Sequence, residues 1–251
     1  MTIIDMHTHL GDILNFGGGR TIFQKGVTKK GFFDLVSITE KGLYRTNAIL
    51  EWFLQVFCTD LITRSCLSRN ATATLENMQK AMKGNNVVKS VCLPVPPYVH
   101  FEDLKKAKDI GNFVVPFTGV DFSKDYDVEA SFKSDVAKGA KGLKLHPIIQ
   151  KEPLKSKKTY AVIETFSAFG LPVLFHSGVQ SYYLGREKKE KQKPEYGKSD
   201  DALGIVKAFP DMIFIIGHAG IFQYREIMKY SCMPYYKYHV WKSLYDSKRI
   251  I

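Results

Sequence analysis

Six short, β-branched, apolar runs recur along the chain, each followed by a helix-like or polar stretch, and this rhythm restricts the fold more than any other feature. The runs are residues 3–9, 87–95, 113–121, 142–147, 171–178 and 212–220. Helical patterns lie between them. Leu75, Met78 and Met82 share a face ending near Gly84, and Phe101, Leu104 and Ile110 precede Gly111. Val128, Phe132 and Val136 precede Gly139, and Val162, Phe166 and Phe169 precede Gly170. Ser199 offers an N-cap, with Asp200 and Asp201 in the first turn, to a helix ending at Phe209-Pro210. A glycine after the last turn is expected to supply the left-handed cap that stops each helix.

Strands alternating with helices of this length predict a parallel sheet with crossover helices. Met212-Ile213-Phe214-Ile215-Ile216 is apolar almost throughout, as expected of a strand covered on both faces. The fold class is α/β. With 251 residues, 45% of them apolar, the chain can bury one substantial core. That composition excludes a collagen, a disulfide-stapled mini-protein and a wholly disordered chain.

Two segments break the rhythm. Residues 17–70 form a long excursion that begins with three glycines and contains an aromatic run, Trp52, Phe53 and Phe57. It reads either as a lid over a site or as a helix packed on the outside of the sheet. Residues 185–198 form a highly charged loop. The four cysteines include no pair at Cys-x-x-Cys spacing, so reduced thiols and a cytoplasmic setting are expected. No leader is expected at the start, and no membrane span.

The chemistry concentrates at the ends of the strand-like runs. His7 and His9 end the first, His146 the fourth, His176 the fifth and His218 the sixth, which together are five of the seven histidines. Residues two apart in a strand face the same way, so Asp5, His7 and His9 share a face, as do Lys144 and His146. Two imidazoles side by side suit a divalent cation, with zinc first and manganese or iron as alternatives. In α/β folds ligands bind beyond the carboxyl ends of the strands. Tyr98, His100 and Asp121, just after the second and third runs, are therefore candidates to line the mouth of a site.

Four motifs together resemble the amidohydrolase superfamily, and more narrowly its amidohydrolase-related (amidohydrolase-2) branch. They are Asp5-Met6-His7-Thr8-His9-Leu10-Gly11, Gly142-Leu143-Lys144-Leu145-His146-Pro147, Phe175-His176-Ser177-Gly178 and Gly217-His218-Ala219-Gly220. The resemblance covers residues 1–229, taken as one barrel domain. It implies a TIM-type (β/α)8 barrel with a divalent metal at its C-terminal mouth. It also implies His7, His9 and His176 as metal ligands, with His218 orienting substrate or water, or holding a second metal. His146 is expected to face the site as a catalytic group. Lys144, His100 and Asp121 are expected to contact substrate, Lys144 through a carboxylate. The implied reaction is metal-assisted hydrolysis of a small-molecule amide, ester or lactone, and decarboxylation on the same ligand set stays open.

The pattern changes after Gly220. Residues 221–229 read as the expected helix, but residues 230–251 are rich in Tyr and Lys and lack the strand-end aspartate that the family places on strand eight. The expectation is an incomplete barrel of about six βα units, with an atypical tail suggesting truncation or a frameshift. A catalytically impaired remnant is therefore an alternative, and open sheet edges predict self-association. The net charge of +11 raises a metal-dependent deoxyribonuclease as a further alternative. The surplus sits largely in loops without interleaved aromatics, so the expected partner is a small molecule and neither nucleic acid nor membrane.

Overall fold

The structure is a computed structural model that describes residues 3–28, 59–177 and 194–218. Each of the six expected strand positions is a strand. β1 spans Ile3–Thr8, β2 Val87–Cys92, β3 Val114–Pro116, β4 Thr118–Gly119, β5 Leu143–Leu145, β6 Val173–His176 and β7 Phe214–Gly217. All pairings are parallel, in the orders β1-β2-β3 and β4-β5-β6-β7.

The third run is divided between two sheets because Pro116 has no N–H to donate. β3 pairs with β2 and β4 pairs with β5. The backbone bridges the break, with Phe117 N donating to Cys92 O at 3.0 Å and Thr118 N to Gly142 O at 2.8 Å. The six strand positions thus follow one another around a single curved wall.

Seven helices are described. They are α1 Thr59–Asn70, α2 Leu75–Gly84, α3 Phe101–Ile110, α4 Val128–Ala137, α5 Pro147–Gln150, α6 Lys157–Ser167 and α7 Ser199–Ala208. Side chains cap four of them: Thr74 accepts from Asn77 N, Asp127 from Ala130 N, His146 from Ile149 N and Ser156 from Thr159 N. Four expectations shift. The N-cap of α7 is Lys198, so Ser199 is its first residue. Ile110 is 70% exposed, because α3 ends there and only Phe101, Leu104 and Ala107 stay on its buried face. The sixth strand begins at Phe214, and Met212 lies in the turn before it. Left-handed glycines follow α4 and α6 at Gly139 and Gly170, whereas after α2 that conformation falls on Asn86 and Gly111 is extended.

Alternation along the strands divides the interior into layers. Leu143 and Leu145 of β5, Val173 and Phe175 of β6, and Phe214 and Ile216 of β7 pack outward against Phe132, Ile163, Phe166 and Ile205. A second outer cluster joins Cys92, Val95, Leu104, Ala107 and Val114 to Leu10, Ile13 and Ile22 of the segment after β1. Facing inward are Val91, Leu93, Phe117, Leu174 and Ile215. The register Lys144↔Leu174↔Ile215 puts the Lys144 side chain in this same inner layer. The next inward positions are His146 just after β5, His176 on β6 and Gly217 on β7, with His218 directly after it.

The described beginning of the excursion, Gly17 to Thr28, includes a 3-10 helix, Gly18–Phe23, that packs onto α3. The Trp52/Phe53/Phe57 run, most of the 185–198 loop and the tail from Tyr230 lie outside the described residues.

Candidate metal centre

Five imidazoles meet at the carboxyl ends of β1, β5, β6 and β7. The ring of His7 lies 5.3 Å from that of His9 and 4.9 Å from that of His218, centroid to centroid. His218 lies 4.7 Å from His176. His176 stacks almost parallel on His146 at 4.2 Å, and His146 is 6.3 Å from His9. The circuit closes through all five. His146 and His176 are buried, His7 and His9 half-buried, and His218 is exposed as a residue at the rim while its ring packs against His7 and His176.

Local hydrogen bonds fix several members. His7 N donates to Asp5 Oδ1 at 3.0 Å, and Thr8 Oγ1 donates to Asp5 Oδ2 at 2.6 Å. Thr8 and Ser90 share a further bond of 2.7 Å that ties β1 to β2. His9 Nδ1 lies 3.1 Å from Leu93 O, which turns its ring toward β2. His146 caps α5, its Nδ1 accepting from Ile149 N at 3.4 Å, while its own N–H donates to Gln150 Oε1 at 2.5 Å. Residue 218 holds a left-handed backbone at φ 62°, a conformation that non-glycine residues adopt at a cost and that clusters at functional sites.

Electrostatics keep His7, His9, His146 and His218 neutral. Burial is the leading cause for every group, with Lys144 adding to it. His9 is pulled down to about 3 and His218 to about 4. His7 falls far below the ordinary imidazole range, and so does His146. Lys144 is fully buried, and its Nζ has no hydrogen-bond partner among the described residues. Burial lowers its amine to about 7. Neutral imidazoles are the form that coordinates a cation, so the donor chemistry fits a divalent ion.

The expected ligand triad His7, His9 and His176 is gathered but not converged. Among the described residues no three His, Cys, Asp or Glu side chains approach closely enough to enclose an ion. The rings pack on one another as flat aromatic groups, and His9 leans on Leu93 O.

His100 and Asp121 are not among the ring contacts of these five histidines. Both line a different cleft of about 260 Å³, together with Pro96, Lys124, Tyr126 and Asp135. His100 is the N-cap of α3, with its backbone N–H on Asp103 and its Nε2 3.2 Å from Pro97 O. Asp121 closes a turn by accepting from Ser123 N and Oγ, and it pairs with Lys124 at 3.5 Å. Position after a strand end does not settle which way a loop side chain faces, and here capping and turn bonds hold both in a cleft whose lining includes none of the five histidines.

The comparisons with known proteins agree with the motifs and the architecture. The family model described as "Amidohydrolase" matches residues 104–231. The chain belongs to the amidohydrolase family. This family comprises enzymes, hydrolases and decarboxylases among them, that are generally metal-dependent. Among solved structures, an uncharacterised TIM-barrel protein from Bordetella bronchiseptica is 12% identical at a TM-score of 0.55, covering 100% of this chain and 74% of that one. The amidohydrolase fold here is thus a TIM-type barrel, with six strand positions among the described residues. Also similar are two 5-carboxyvanillate decarboxylases. The one from Sphingomonas paucimobilis is 12% identical at a TM-score of 0.47, covering 87% of this chain and 68% of that one. The one from Novosphingobium aromaticivorans, which holds manganese, is 13% identical at 0.47, covering 72% and 61%. No curated protein sequence matches this amidohydrolase significantly.

One feature of the ring has no sequence signal of its own. A side chain at Gly217 would collide with His7. Nothing in the residue letters shows the space that a glycine leaves.

Proposed function

We propose that this amidohydrolase is a metal-dependent hydrolase acting on a small-molecule amide, ester or lactone. His7, His9 and His176 hold the cation in this reading, and zinc is the first choice over manganese or iron. The observation that carries it is the closed circuit of five imidazoles at the strand ends, four of them kept neutral by burial. A bound divalent ion supplies a polarised carbonyl and a water acidified toward a pKa of about 7.

The chain's own residues supply the rest. His218, exposed at the rim and neutral down to about pH 4, accepts a proton and returns it to the leaving group. His146 holds its place by stacking on His176 and capping α5, facing the substrate from the opposite side. Lys144 lies below the ring with no hydrogen-bond partner among the described residues and grips a substrate carboxylate, whose charge draws the proton back onto its amine. The inner apolar layer below excludes water from that side. Lys144 also favours a second reading, because a buried cation for a carboxylate suits a decarboxylase equally well. Among the described residues no helix is long and apolar enough to cross a membrane, and a cytoplasmic setting with a small-molecule partner completes the proposal.

The test is metal content after zinc loading and desalting, measured on the parent protein and on His7→Ala and His176→Ala. Each substitution is expected to weaken zinc by about 100-fold or more, above the ~10–100-fold loss typical of removing an outer-shell partner. Unchanged zinc content in both variants overturns the assigned centre. Loaded protein offered lactones, esters and aromatic carboxylates then separates hydrolysis from CO2 release.

A further inference from the structure

We infer that Gly217 is a positioning residue for His7: the missing side chain at 217 is the space into which the His7 imidazole is packed. This inference rests on reading His7 as a metal ligand.

Three observations converge on it. Along β7, Phe214 and Ile216 face the outer core and Ile215 the inner layer, so residue 217 faces inward, toward the ring. Its register partner is His176, and its carbonyl accepts from Ser177 N at 3.2 Å, which holds the strand in place. The backbone does not require a glycine. The described glycines with left-handed φ are at 11, 17, 26, 139 and 170, and Gly217 is not among them. Space is therefore the reason. A Cβ built at 217 would stand 2.8 Å from His7 Cε1 and 3.3 Å from His7 Nδ1, with Phe175 O also at 3.3 Å.

An ordinary carbon–carbon contact begins near ~3.5 Å, so an alanine at 217 would push the His7 ring back by about 0.7 Å. A metal site tolerates deviations of only about 0.2 Å in its ligand distances. The ring has little freedom to move aside, because His9 and His218 flank it at 5.3 and 4.9 Å and its backbone N–H is tied to Asp5. Gly217 thus sets where the imidazole on β1 can stand relative to His176 on β6.

A double-mutant cycle tests this. Zinc affinity, by competition with a chromophoric chelator, and the Tm of the apo protein are measured for the parent, Gly217→Ala, His7→Ala and the double variant. The expected result is a loss of about tenfold or more in zinc affinity for Gly217→Ala, with no further loss when the same change is made in the His7→Ala background. In apo protein, Gly217→Ala lowers Tm, and removing the His7 ring restores it. A single variant that fails to fold beside a double variant that folds reports the same collision. Equal Tm losses in both backgrounds overturn the inference and assign the strain to the Phe175 carbonyl. A Gly217→Ala protein that binds zinc like the parent overturns it as well. If His7→Ala loses zinc and Gly217→Ala does not, only this inference fails. If His7→Ala keeps its zinc, the ligand reading falls and the positioning role falls with it.

Discussion

At the scale of single residues, the site is a set of ionisable groups held uncharged. In an unfolded chain the histidines titrate near ~6.5 and Lys144 near ~10.4, but in the folded protein His9 and His218 wait until about 3 and 4, and Lys144 until about 7. Between about pH 7 and 10 the unfolded chain therefore carries a proton on Lys144 that the native state lacks, and stability rises with pH. Below about 6.5 the unfolded histidines take up protons first, and stability falls as pH drops toward 3. The apo protein should thus gain stability from pH 4 to 10, with the Lys144 part on the order of a few kcal/mol. Urea midpoints at pH 5, 7 and 9 check this for the parent and for Lys144→Met. The variant should lose the rise above pH 7 and keep a reduced fall in acid, since the remaining histidines no longer feel that amine. Parallel curves for the two proteins above pH 7 would refute it. The His-x-His pair, His146 and His176 were legible because strand parity assigns their face, whereas His218 follows the inward Gly217 and joins the ring through its left-handed backbone. For His100 and Asp121 a loop position carries no parity, so the sequence could not show that capping and turn bonds hold them in a cleft lined by none of the five histidines.

At the scale of elements, propensity and packing carry very different weights, and α6 lets the two be compared. Its N-cap, Ser156, accepts from Thr159 N at 3.0 Å, while Val162, Ile163 and Phe166 bury its inner face in the outer core. Ser156→Ala should cost about 1 kcal/mol. Phe166→Ala should cost about 3–5 kcal/mol, because Phe166 is wholly buried against Phe132 at 5.0 Å. Equilibrium denaturation of both variants gives the ratio, and a cap change as damaging as the core change would contradict the layer assignment. The helices with an apolar face and a following glycine were readable from sequence to within a residue or two. Two details were not. A lysine replaced the expected serine as the cap of α7, since hydrogen-bond geometry decides between adjacent residues. The third strand divides at Pro116 because the missing N–H matters only once its neighbours in the sheet are known.

At the scale of the whole molecule, the histidine ring joins elements that lie far apart in the sheet order. His7 comes from β1, at one end of the order, and His176 and His218 from the region of β6 and β7, at the other. Their rings meet across the seam, where Gly217 and His7 are in closest approach. Among the described residues β1 pairs with β2 alone, and its Ile3, Ile4 and Met6 are exposed. An ion drawing His7, His9 and His176 together would close the seam at the mouth and stabilise the barrel as a unit. Zinc at about 100 times its Kd adds about 2.7 kcal/mol. For a chain of this size each kcal/mol is worth roughly 2–4 °C, so Tm should rise by roughly 5–10 °C. Excess EDTA should reverse the rise, and His7→Ala should abolish it. A Tm that ignores zinc, manganese and ferrous iron alike would mean that the ring holds its shape by stacking and burial alone, and that its neutral imidazoles serve as proton carriers without a cation.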